Sequence, residues 1–195
     1  LLSSLLLARG VPMLLMGDEV GRSQGGNNNS WCQNSPLGWM VWDEDHCDLE
    51  LKQFLQRLLR LRRALPQLFN PLVPPRETNR KSTQQQSPQS DLWRQWHGVS
   101  LAKPDWAAWS RTTATSLHSG SRGALLWMGF NAYKESLSFE LPVPASPWKR
   151  VIDTSLPSPQ DFPAEPVNFS GVEIPLQSRS FVLLLADEET SSLRL

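Results

Sequence analysis

Cysteine is nearly missing from this chain of 195 residues: Cys32 and Cys47 are the only two, and their spacing matches neither a zinc knuckle nor a redox pair. A disulfide framework is therefore excluded as the source of stability, and a reducing compartment is expected. Neither sign of charge is in excess, with 19 basic against 19 acidic side chains. Phosphate backbones and anionic bilayers attract a basic surplus, so the balance argues against nucleic-acid and membrane partners. No apolar run reaches the roughly 20 residues of a membrane-spanning helix. The strongest candidate, Leu1 to Met16, is interrupted by Ser3, Ser4, Arg9, Gly10 and Pro12. Nucleophile elbows and phosphate loops are also missing, so neither esterase-type nor nucleotide chemistry is indicated. His97 stands alone in a Trp-His-Gly stretch and reads as a structural hydrogen-bonding residue.

Tryptophan is abundant, with nine residues against a single tyrosine, and an indole either covers an apolar core or stacks on the C–H face of a sugar ring. Sixteen prolines and 11 glycines favour a loop-rich or strand-rich architecture over a helix bundle. Leu1, Leu2, Leu5 and Leu6 follow a helical period that Gly10 is expected to stop. Val11 to Met16 form a short apolar run without alternation, which predicts a parallel strand buried on both faces. The Gly-, Asn-, Gln- and Ser-rich stretch from Gly17 to Trp42 predicts a long loop, the kind that carries function after a parallel strand.

The clearest helix is Leu49 to Leu65, with Leu51, Phe54, Leu55, Leu58, Leu59 and Leu65 at helical spacing and Pro66 closing it. Asp43, Glu44, Asp45, Asp48 and Glu50 lie at or before its start, and Arg57, Arg60, Arg62 and Arg63 lie near its end, as the helix dipole favours. That explains the acidic cluster without a metal. An EF-hand also fails, because the sixth position counted from Asp43 is Asp48 rather than glycine. Residues 70–91 are rich in Pro, Gln, Ser and Arg and predict a flexible connection. Beyond them, Ala124–Phe130, Leu137–Leu141, Trp148–Ile152, Val172–Leu176 and Phe181–Leu185 recur as short strand-like runs of an antiparallel sandwich. Residues 188–195 predict a frayed tail.

The run Gly10-Val11-Pro12-Met13-Leu14-Leu15-Met16-Gly17-Asp18-Glu19, followed by Ser23-Gln24-Gly25-Gly26-Asn27-Asn28-Asn29-Ser30-Trp31, resembles isoamylase-type glycogen and starch debranching enzymes of the α-amylase superfamily, glycoside hydrolase family 13. Trp39 to Asp43, Trp96-His97-Gly98, Pro104-Asp105-Trp106 ahead of Ser110-Arg111, and Val151 to Thr154 fit the same family. The resemblance implies an α/β plus all-β chain: the last strand and helices of a (β/α)₈ TIM barrel in residues 1–69, then a C-terminal antiparallel β-sandwich in residues 92–187. A closed barrel takes about 250 residues, so one strand and its helices cannot complete one. It further implies that the nucleophile, the acid/base and the stabilising carboxylate lie upstream of Leu1. This chain alone would then hold no catalytic residue and depend on a missing N-terminal part of the same enzyme. No cofactor or metal is implied. Branched α-glucan, glycogen or amylopectin-like, is the implied partner, and the cytoplasm, or a plastid in a plant or alga, the implied location.

Asp18, Glu19, Asn27, Asn28, Asn29 and Trp31 are the candidate substrate-binding residues. Each has a structural alternative. Glu19 either contacts sugar or holds the loop by hydrogen bonds, the asparagines either pair with hydroxyls or build turns, and Trp31, like Trp39, either stacks on glucose or packs on the rim. Asp18 and Glu19 do not make a catalytic pair, since a retaining glycosidase needs carboxyl groups roughly 5 Å apart across the bond, and neighbouring strand residues point to opposite faces. A carbohydrate-binding or scaffolding module without catalysis is the rival reading.

Overall fold

The computed structural model describes residues 1–41, 43, 47–69, 92–120 and 123–190. The expected connection at 70–91 lies outside the described residues, as do positions 191–195 of the expected tail. Helices α1 (Leu2–Leu7), α2 (Leu49–Ala64) and α3 (Pro66–Phe69) precede the sheet strands β1 (Leu92–His97), β2 (Thr112–Ser119), β3 (Ala124–Asn131), β4 (Leu137–Glu140), β5 (Trp148–Asp153), β6 (Val167–Phe169), β7 (Glu173–Leu176) and β8 (Ser180–Ala186), and a last turn, α4 (Asp187–Thr190), follows. Six strands form one sheet in the order β1-β2-β3-β8-β5-β6, and β4 pairs with β7 in a second. All strand pairings are antiparallel.

Each face of the large sheet has its own cover. Phe181, Leu183 and Leu185 of β8 join Leu126 and Met128 of β3 in one buried cluster with Leu6, Leu7, Leu55, Leu58, Leu61 and Phe69 of the helices and Leu65 between α2 and α3. The alternate residues Val182, Leu184 and Ala186 join Trp127 in a second cluster with Phe139, Ile174 and Leu176 of the small sheet. That two-sided cover is why β8 reads as a continuous apolar run rather than an alternating one. Gly129 sits where Trp127 folds back, and a Cβ there would lie 2.3 Å from the indole Cη2 and 2.8 Å from Leu176 Cδ2. Only glycine admits that approach.

The helix layer corrects several expectations. α2 is capped by Asp48, whose side chain accepts from Leu51 N–H at 2.9 Å. Its buried stripe runs through Leu55, Leu58 and Leu61, while Leu59, expected inside, is 39% exposed. Register on the helix is set by contact with the sheet, which the sequence period leaves open by about one residue. Gly10 does not form the left-handed cap of α1; the helix ends at Ala8 in extended geometry. Arg62 of α2 takes over that role, donating to the carbonyls of Leu6 at 2.5 Å, Ala8 at 2.7 Å and Gly10 at 2.5 Å.

Val11 to Met16, expected as a buried parallel strand, adopts no strand at all. Val11 is 91% exposed and Met13 87%. A strand needs a neighbour to satisfy its ladder groups, and the described residues place none beside this run. No barrel sheet is present among them. The expected tail is also partly ordered, since α4 buries Thr190, whose hydroxyl donates to Asp187 C=O at 2.8 Å. Three strands, β1, β2 and β6, were not legible as apolar runs because Thr, Ser, Arg, Gln and Asn occupy much of them.

Candidate functional site

The segment after the apolar run is built from consecutive turns. Gly17, at φ +102°, opens a 3₁₀ turn over Asp18–Val20, and Glu19 Oε2 accepts Gly17 N–H at 2.7 Å. The carboxylate of Glu19 therefore holds its own turn. Asp18 is exposed at the first position of that turn. Because the backbone here is a 3₁₀ turn, the strand geometry expected for Asp18 and Glu19 does not apply. Asp48 N–H donates to Val20 C=O at 3.0 Å and ties the turn to the start of α2.

The three asparagines divide their work. Asn27 Oδ1 accepts Asn29 N–H at 2.9 Å and Asn29 Oδ1 accepts Trp31 N–H at 3.3 Å, so both build side-chain-closed turns. Asn28, between them, is exposed. Arg22 is the only cation between Gly17 and Trp42. Its Nη2 donates to Gly38 C=O at 2.9 Å and joins the two ends of the loop. Gln24, with its amide turned to suit its neighbours, donates to Asn27 C=O at 2.9 Å and accepts from Arg22 Nη2 at 3.2 Å.

Asp18, Arg22, Ser23, Gln24, Asn27 and Asn28 line a cleft of about 440 Å³. Trp31, Gln33, Asn34 and Trp39 line a second one of about 600 Å³, where Trp39 Nε1 donates to Asn34 Oδ1 at 3.3 Å and Trp31 is 89% exposed. The structure thus brings Asp18, Asn27 and Asn28 together, sets Trp31 beside Trp39 in a separate cleft, and places neither Glu19 nor Asn29 on either lining. Arg22, Gln33 and Asn34 are members that sequence reasoning did not single out; for Arg22, its standing as the lone cation of the loop, beside Asp18 and Glu19, was the available signal. Carboxylate, amide and guanidinium groups offer paired donors and acceptors, and exposed indoles offer flat faces, which together suit a polyhydroxylated ligand. A larger cleft, about 940 Å³, lies elsewhere, between the starts of α1 and α2 and the β3 and β8 ends, and holds none of the predicted residues.

A buried polar chain lies at the β1 edge. His97 Nδ1 accepts Ala102 N–H at 2.9 Å, so its Nε2 carries the proton and donates to Ser116 Oγ at 2.7 Å. Ser116 Oγ also shares a hydrogen bond with His118 Nε2 at 2.7 Å, and His118 stacks flat on Trp93 at 4.0 Å. Burial, followed by the neighbouring His118, pushes His97 down to about 4, and burial also lowers His118. Ser116 is fully buried, so this chain holds a loop in place rather than presenting a nucleophile. His97 is structural.

Residues 95–182 match the family model of the isoamylase 1–3 C-terminal domain. The chain is 32% identical over 160 residues to chloroplastic isoamylase 1 of Oryza sativa subsp. japonica, an alignment covering 82% of this chain and 18% of the relative. It is 35% identical over 133 residues to a glycogen debranching enzyme of Pectobacterium atrosepticum, covering 62% of this chain and 18% of that enzyme. Among solved structures, type I pullulanase of Bacillus subtilis complexed with maltose shares the fold at TM-score 0.61 with 19% identity, over 95% of this chain and 22% of the pullulanase. The chain spans about a fifth of the length of the curated relatives it matches. With that match over residues 95–182 and these relatives, the chain carries an isoamylase-type C-terminal domain and is similar over most of its length to part of isoamylases and glycogen debranching enzymes.

Proposed function

We propose that this chain is the C-terminal part of a glycoside hydrolase that cleaves α-1,6 branch linkages in glycogen or a related α-glucan, in the cytoplasm or a plastid. The observation that carries the reading is the alignment with chloroplastic isoamylase 1, which takes in 160 residues of this chain. In this reading residues 1–69 end the catalytic barrel, Val11 to Met16 is its last strand once neighbouring strands flank it, residues 70–91 connect, and residues 92–187 are the sandwich. The exposure of that apolar run supports this, since Val11, Met13, Leu15 and Met16 are all solvent-facing and await partners.

The loop then contributes binding and no chemistry. Asp18, Asn27 and Asn28 bond sugar hydroxyls in one cleft and Trp31 stacks on a glucose face in the other, while Glu19 and Asn29 hold the turns that present them. General acid and nucleophile come from carboxylates outside these 195 residues, because Asp18 and Glu19 are the only carboxylates between Gly17 and Trp42 and sit side by side on one turn rather than across a scissile bond. A reducing-end assay on amylopectin tests the catalytic half. The purified chain is expected to release nothing above a protein-free control, and release of linear chains would overturn it. Maltoheptaose affinity tests the binding half, with Trp31→Ala and Asn28→Ala each expected to weaken it roughly tenfold or less, the scale of one lost contact.

A further inference from the structure

The turn-rich segment between β1 and β2 exposes apolar area and yet is tightly held. Trp96 at the end of β1 is 44% exposed, and Trp106 and Trp109 are 66% and 77% exposed. Trp96 and Trp106 meet edge to face at 5.6 Å, and Trp109 lies within, and Trp106 just before, a turn in which Ser110 N–H donates to Ala107 C=O at 2.9 Å. Indoles left in water on a floppy loop would collapse onto the nearest apolar surface. This segment is prevented from doing so. Ala102, a non-glycine residue at φ +56°, is fixed by its N–H on His97 Nδ1; Leu101 N–H donates to Glu140 Oε2 at 2.8 Å; and Glu140 N–H donates to Val99 C=O at 2.9 Å. Gly98 allows the return pass, since a Cβ there would lie 2.4 Å from Lys103 C=O. A strained backbone held by a buried histidine chain, presenting three indoles outward, is the arrangement in which strain serves a binding surface.

We propose that Trp96, Trp106 and Trp109 form an α-glucan contact on the sandwich, carried by a different segment from the Gly17–Trp39 loop. Resting on the debranching reading, it adds a hold on the polymer outside that loop. The chemistry favours a polyhydroxylated ligand: flat apolar faces for the C–H side of glucose, with Lys103, Asp105 and Arg111 along the same segment supplying hydroxyl partners of both signs. Asp105 already accepts Ala107 N–H at 3.0 Å, which leaves its second oxygen for a ligand.

The test is native electrophoresis of the full chain through gels with and without amylopectin, paired with maltoheptaose titration followed by tryptophan fluorescence. The double variant Trp106→Ala/Trp109→Ala, whose side chains lie outside the core, is expected to lose most retardation and bind roughly five- to tenfold more weakly. Trp106→Phe, which keeps a flat ring, is expected to recover part of it. Circular dichroism and the melting temperature report whether each variant folds. Loss in the double variant, whatever Trp31→Ala does, supports the sandwich contact. Loss only in Trp31→Ala overturns it and leaves the loop reading standing, whereas a wild-type chain that is not retarded overturns both. If the double variant instead changes sedimentation from dimer to monomer with retardation intact, the indoles are an interface between copies and the glucan contact is overturned.

Discussion

Val11 to Met16 and Phe181 to Leu185 are apolar runs of nearly equal length and density, and the structure treats them oppositely. The first has no regular structure and is largely solvent-facing; the second is the middle of the six-stranded sheet, with Val182, Leu183, Leu184 and Leu185 all at 0% exposure. Composition does not separate them. What does is supply of partners: β8 has β3 on one side, β5 on the other, helices over one face and the small sheet over the opposite one. An apolar run is a demand for neighbours, and whether it is met depends on chain that is remote in sequence.

The contrast can be broken most directly by truncating one side chain in each run. Leu184→Ala is expected to cost about 2–5 kcal/mol in urea denaturation, because it leaves a cavity between Trp127 and the small sheet. Met13→Ala, at 87% exposure, is expected to stay within about 0.5 kcal/mol. Equal losses would mean that the first run is buried in solution. A smaller effect tests how closely the well-supplied region is packed. Gly129→Ala places a methyl against Trp127 and Leu176 and is expected to cost about 1–3 kcal/mol, read from the same denaturation curves. If the variant is as stable as the parent, the indole has room to move and two-sided cover is looser than the distances state.

The remaining test concerns pH, where the effect is small near neutrality. His97 titrates near 4 in the folded chain against 6.5 when free. The unfolded chain therefore binds more protons between those values, so the contribution is intact above about 6.5 and is lost as pH falls towards 4. Between pH 7 and 6 only a fraction of the unfolded imidazole is protonated, and the melting temperature should fall slightly there and more steeply below. His97→Gln should flatten that slope. A parallel slope in the variant would assign the acid sensitivity to other groups.

Some of the candidate site was legible from residue chemistry and some was not. Asp18, Asn27 and Asn28 share a cleft as their types and proximity in sequence suggested, because short turns keep near neighbours near. Glu19 and Asn29 were equally plausible on type, but their side chains turn to Gly17 N–H and Trp31 N–H and stay off the cleft, whereas Asn27 both closes a turn and lines it. Arg22 was overlooked because its role is to reach Gly38, sixteen residues away, and spacing along the chain carries no trace of such a reach.

The sequence by itself determined the local matters: the α2 helix with Asp48 at its cap and Pro66 just beyond its end, the turns of the asparagine-rich loop, the alternation of β4, and the resemblance to isoamylase-type enzymes, because each depends on residues a few positions apart or on a contiguous motif. Only the tertiary structure decided which apolar run is buried, which leucines of α2 face inward, that β1, β2 and β6 are strands despite their polar residues, and that Arg62 rather than Gly10 finishes α1. Those outcomes are set by pairing and packing between segments that lie dozens of residues apart, where the free energy comes from shared buried surface and satisfied backbone groups rather than from any residue's own preference.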